Sequence, residues 1–246
     1  MLNLIRSDFY KAFHMKSLRV MCIVAAALMF LMEGPLAGDD MLRVRSFNDI
    51  VDLSSSTYPL LFFSLFMSFF VSADFKNGYI KNIAGSLADR SMMIISKLVI
   101  AFAVYWIFFL DVFITTILSD LIFHKISFEG VVFSDVITRI LVVFFVSYAI
   151  GAVIILFAYG AKSGGLSTTM AVMISGGMIV ETIFLFCMLL SIGGFISADF
   201  DIYPYFLTPY INYYGEYSTG NACIAAACYL IGATIFTILH VKKKDI

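Results

Sequence analysis

Asp111 and Glu181 are the residues with the clearest capacity for chemistry, because each interrupts a long apolar run. Each lies about 14 to 15 residues from one end of its run, roughly 21 Å along a helix at about 1.5 Å per residue. An ionised carboxylate at that depth in a bilayer is costly unless it is paired or wetted. Both side chains are therefore expected to face the inside of a helix bundle or a cavity. Three roles fit. They are a polar patch on a transport path, an interhelical hydrogen bond made by a protonated acid, and a carboxylate pair in an intramembrane protease or lipid-modifying enzyme. Neither acid has a basic partner at equal depth, and Arg139 is the closest candidate.

The other reactive residue types point away from catalysis. His14, His124 and His240 all fall near the edges of apolar runs. Cys22, Cys187, Cys223 and Cys228 show no C-x-x-C spacing and read as small buried hydrophobes. There is no Walker A, H-E-x-x-H or G-x-S-x-G pattern and no metal-ligand grouping. The expectation is a chain with no catalytic residue, no metal and no cofactor of its own. A net charge of −1 gives no case for nucleic acid.

Composition fixes the medium. Of 246 residues 61% are apolar and 13% charged, and mean hydropathy is +0.97. A soluble domain carries about 25% charged residues. The apolar surplus must face lipid. Six runs are long enough to span: 18–36, 57–73, 98–123, 136–159, 166–192 and 221–241. The fold class expected is an all-α integral membrane protein, one transmembrane domain over 1–246. A basic stretch (Arg6, Lys11, Lys16, Arg19) precedes the first run, but Pro35-Leu36-Ala37-Gly38 is a poor cleavage site, so a retained first helix is expected.

Lysines and arginines orient the spans. With the amino terminus inside, Arg6, Lys11, Lys16, Arg19, Lys76, Lys81, Arg90, Lys97, Lys162, Lys242, Lys243 and Lys244 are cytoplasmic. Only Arg43, Arg45, Lys125 and Arg139 are external, twelve against four. Both termini are expected in the cytoplasm of a multi-pass cell-membrane protein.

Two flanking segments have their own character. In 1–17, Leu2, Ile5, Phe9, Ala12 and Phe13 share one helical face opposite Asn3, Arg6, Ser7, Lys11 and His14, a basic amphipathic helix suited to the inner membrane surface. In 193–220, tyrosines and phenylalanines crowd around Pro204 and Pro209. Tyrosine favours the interface and proline forbids one uninterrupted helix, so short helices dipping into the outer leaflet are expected. Small residues at Ala25–Ala27, Ser147 with Gly151, Ser175–Gly177, and Ala225–Ala227 with Cys228 and Gly232 permit close helix approach.

The inner link 74–97 is the richest stretch. Tyr79, Ile80, Ile83 and Leu87 share one side of a short helix, away from Lys76 and Lys81, and Gly78 and Gly85 bracket it. Its apolar side is available to a partner; a basic membrane-anchoring loop is the plainer alternative.

The order of an acid closing span two, Phe75-Lys76-Asn77-Gly78, then Asp89-Arg90-Ser91 before a lysine-bearing helix, resembles the type-2 permeases of ATP-binding-cassette transporters. The likeness extends to the amphipathic start, the six spans and the aromatic segment before span six. What it implies is a permease subunit, not itself an enzyme, of an exporter moving an amphipathic or hydrophobic peptide, antibiotic or lipid. Small immunity and antibiotic-resistance permeases are of similar size. Asn77, Gly78, Tyr79, Ile80, Lys81, Ile83, Leu87 and Arg90 would form the coupling helix on a soluble ATPase subunit present in two copies, which would hold the ATP and magnesium. The link 160–165 would be a smaller second contact. A second permease subunit, itself or a paralogue, would complete the assembly, with a seam along spans one and five.

Overall fold

Where water is absent, every backbone N–H and C=O needs a partner within the protein, and a helix supplies it locally. The computed structural model describes residues 2–33, 44–76, 91–123, 125–128, 131–192, 203–212 and 218–243. Its elements are α1 (Leu2–His14), α2 (Lys16–Glu33), β1 (Val44–Ser46), α3 (Phe47–Ser54), α4 (Thr57–Lys76), α5 (Ser91–Phe123), β2 (Lys125–Ser127), α6 (Phe133–Ala161), α7 (Gly164–Ser175) and α8 (Met178–Ile192). A 3₁₀ turn (Tyr203–Tyr205), α9 (Pro209–Asn212) and α10 (Thr219–Lys243) follow.

By length and composition, α3 with α4, α5, α6 and α10 make four segments able to cross a membrane. The pairs α1–α2, bent by 52°, and α7–α8, bent by 65°, bring the number to six if each pair is one span. The all-α expectation holds, with one small addition. Val44, Arg45 and Ser46 pair in parallel with Lys125, Ile126 and Ser127, which ties the segment after α2 to the end of α5.

α4 is the centre of the bundle and packs on α2, α5, α6 and α7. Pro59 sits in its first turn, where the missing N–H costs nothing. Phe63, Phe66 and Phe70 are buried; Phe63 packs on Tyr105 and Phe66 on Phe108 of α5, while Phe70 stacks on Phe66. Between helices in lipid, close packing rather than water exclusion supplies the attraction. Gly151 of α6 shows this: a Cβ there would stand 2.7 Å from Cζ of Phe63. The small face of α10, Ala222, Ala226 and Ala233, is likewise buried, and α10 packs mainly on α6. Gly232 differs, since nothing lies within 4 Å of a Cβ placed on it.

Ser175–Gly177 is a break in the helix as well as a largely buried stretch. Gly177 has φ 73°, a conformation open to glycine at little cost, and the chain turns there from α7 into α8. The Ile174 carbonyl at the turn accepts from Gly177 N–H at 3.2 Å and also from the Thr208 hydroxyl at 3.0 Å, which ties the 203–212 segment to the break.

Candidate functional site

The eight residues expected to form the coupling helix (Asn77, Gly78, Tyr79, Ile80, Lys81, Ile83, Leu87 and Arg90) lie outside the described residues. The two ends of that link are described, and they carry a charge cluster. Lys97, in the second turn of α5, places Nζ 2.8 Å from Asp8 Oδ1 of α1 and 2.6 Å from Asp74 Oδ2 of α4. Lys11 of α1 pairs with the other oxygen of Asp74. Ser96 donates from Oγ to Asp8 Oδ2 at 2.6 Å. The Phe70 ring completes the seat, its centroid 4.2 Å from Lys97 Nζ and 5.1 Å from Lys11 Nζ. Asp8 and Asp74 are 1% exposed and Lys97 is 2%, whereas Lys11 keeps 24%.

The sequence pattern missed this cluster, having put Lys11 on the polar side of α1 and singled out no role for Asp8. Leu4, Asp8, Phe9, Lys11, Ala12 and Met15 face the bundle, while Leu2, Tyr10 and Phe13 are exposed. The charges turn inward because α4 and α5 offer matching charges there, a fact invisible within α1 itself. The available signal was the single acid, Asp8, in an otherwise basic helix.

Asp111 and Glu181 are not brought together. Asp111 is partly buried on α5, near enough to Cys22 of α2 to act on it electrostatically. Its Oδ2 is buried without a hydrogen-bond partner among the described residues. Glu181 departs from the expectation of an inward face, for it is exposed on the isolated chain. The break at Gly176–Gly177 explains this by swinging α8 aside, so that its main contact is α7. Glu181 lies in the first turn of α8, where the helix dipole favours a carboxylate, and Tyr203 Oη donates to it at 3.4 Å. Arg139 partners neither acid; it pairs with Asp52 of α3.

The aromatic segment is described over 203–212. Leu207, Thr208, Tyr210 and Ile211 are buried against the bundle, and Tyr210 Oη donates to Pro204 O at 2.8 Å. Tyr229 of α10 donates to Tyr205 O at 2.9 Å. A small apolar cavity of ≈ 140 Å³ lies between this segment and Ile150, Phe157, Ile174 and Val180.

At the opposite end of the bundle, Arg45 pairs with Glu33 and stands 3.5 Å from Asp120, which is wholly buried on α5. A more open cavity of ≈ 530 Å³ is lined by Asn48, Asp52, Asp135, Thr138, Arg139 and Thr219. Among the described residues no three of His, Cys, Asp and Glu are grouped to hold a metal ion. No protein-family model matches the chain, and no curated protein is similar enough to it to count as a match.

Proposed function

We propose that the chain is the membrane-embedded half of an ATP-driven exporter, with six spans and both termini in the cytoplasm. The observation that carries the transport reading is the broken α7–α8 pair with residues 203–212 seated against the break. A helix interrupted within the apolar layer weakens a barrier unless the interruption serves a path or a movement, and transporters place substrate sites at such breaks. Glu181 stands one turn beyond the break, and with Asp111 it is the candidate for the substrate path. The substrate would be an amphipathic or hydrophobic peptide, antibiotic or lipid.

Coupling to ATP rests on the resemblance of the 74–91 stretch to type-2 permeases. In this reading residues 77–87 dock on a soluble ATPase subunit, which binds ATP and magnesium. The chain pairs with a copy of itself or with a paralogue. Positive charge on the α1 side fits a cytoplasmic face there.

The test is co-purification with a nucleotide-binding subunit. Changing Ile80, Ile83 and Leu87 together to Asp is expected to abolish capture while the permease still inserts and folds. Unchanged assembly overturns the coupling assignment. Asp111→Asn and Glu181→Gln are expected to alter transport without altering ATPase capture.

A further inference from the structure

We infer that α7 steps along α4 by one helical turn, between two registers marked out by the hydroxyls of their shared face. On α4, Ser64, Ser68 and Ser72 recur every fourth residue, and all three are buried. α7 presents small residues in return, its buried positions being Gly164, Ser167, Ala171 and Ser175. The two helices run antiparallel. Ser68 Oγ lies 2.8 Å from Ser167 Oγ and 3.2 Å from Thr168 Oγ1. Further along α4, Ser72 Cβ would stand 3.7 Å from a Cβ placed on Gly164.

This register leaves the face half matched. Ser68 is paired, whereas Ser64 and Ser72, one turn to either side, are buried with no hydrogen-bond partner among the described residues. Ser72 meets a glycine, and the antiparallel order puts Ser64 opposite Ala171. Moving α7 by four residues toward the Lys76 end of α4 is a shift of about 6 Å. It brings Ser167 to Ser72 and Ser175 to Ser64, and leaves Ala171 opposite Ser68. Two hydroxyls gain partners and one loses its own. An unmatched hydroxyl in an apolar interior is costly, so the second register competes with the first. A slide the other way only moves Ser167 from Ser68 to Ser64, and gains nothing.

The step needs a low ridge and yielding ends. None of the four buried residues of α7 is larger than serine, which lets the helices pass closely. Among the described residues the two with positive φ, Lys162 at 53° and Gly177 at 73°, flank α7. Gly160 and Gly165, on either side of the first link, have open space where a Cβ would be. α8 packs chiefly on α7 and can travel with it. What must be given up are ties to the 203–212 segment, among them Thr208 donating to Ile174 O. Such a step would give the break between α7 and α8 the movement that the exporter reading asks of it.

The test is disulfide cross-linking of the full chain in membranes, with the four native cysteines changed to alanine. Links are read by mass spectrometry after oxidation with copper phenanthroline. A disulfide forms only when the two Cα atoms come within about 7 Å. Ser68→Cys with Ser167→Cys reports the present register, Ser72→Cys with Ser167→Cys the displaced one, and Ser64→Cys with Ser167→Cys the opposite slide. The first two pairs are expected to link and the third to stay at least about tenfold slower. Adding Thr208→Val, which removes a tie of the present register, is expected to raise the second yield over the first about threefold or more. Linking of the first pair alone overturns the two registers, and so does failure of that pair. Equal linking of all three would make α7 merely loose, and a yield ratio unmoved by Thr208→Val would unseat the tie; either result overturns the step. Cross-linking needs neither substrate nor ATPase, so the step can fail while the exporter reading stands, and the reverse.

Discussion

The two ends of the bundle handle charge in different ways. Around α1, three of the four charged groups are almost wholly buried, and each contacts a residue 63 or 89 positions away in the sequence. At the opposite end, charge is held partly in water. Asp52 is 44% exposed beside Arg139, and Arg45 bridges Glu33 to the fully buried Asp120. A buried row of ion pairs, here Asp8, Lys97, Asp74 and Lys11 in turn, is stable only while every member is present, so it reports sensitively on the position of the helices that carry it. A wet pair tolerates movement and reports little. The contrast is one of burial: the α1 end depends on exact partners, and the opposite end does not.

The largest expected effect comes from the keystone of the buried row. Lys97→Met leaves Asp8 and Asp74 facing each other without a cation between them. A buried pair broken on one side loses about 3–5 kcal/mol. The variant is expected to melt well below the native protein in a detergent thermal-shift measurement, or to fail to accumulate. A melting temperature within a degree or two of native would show that water reaches the row and would erase the contrast between the ends.

How far these features were legible follows from the distance over which each is encoded. Apolar runs are local, and the runs at 98–123, 136–159 and 221–241 each fall within a single helix of the structure. Over 203–212 the chain forms two short helical pieces, with Pro209 at the start of the second, where proline is tolerated. The run 166–192 was read as continuous because hydropathy stays high across Gly176 and Gly177; two adjacent glycines were the only sign of the turn. Glu181 was placed facing inward on that unbroken helix, and the break reverses its surroundings. The buried row was not legible. Its members are ordinary residues near span ends, where charge is expected, and only the fold shows that Asp8 meets Lys97.

Asp120 gives an intermediate effect. Asp120→Asn removes the carboxylate that lies 3.5 Å from Arg45 but leaves Arg45 paired with Glu33. The arginine keeps a partner, so the expected loss is about 1–3 kcal/mol, the cost of one buried polar group losing its match. Trypsin cleavage near Arg45 and Lys125 should accelerate, because the β1–β2 ribbon lies beside this contact. A loss as large as that of Lys97→Met would place both ends in the same class.

The smallest effect belongs to the most exposed pair, and it separates the two ends by mechanism as well as size. Asp52 and Arg139 border the ≈ 530 Å³ cavity, where solvent and salt can enter. Partly exposed ion pairs contribute about 0–1 kcal/mol, and screening acts over about 10 Å at 0.1 M salt. Arg139→Gln is expected to shift the melting temperature slightly at low salt and negligibly at high salt. The Lys97→Met deficit should persist at both, since ions do not enter a seat closed by Phe70 and Ser96. Measuring the two variants in one salt series therefore tests burial directly: equal salt dependence would mean that both ends are equally wet, and an alternating row of charges would then have no seat to hold.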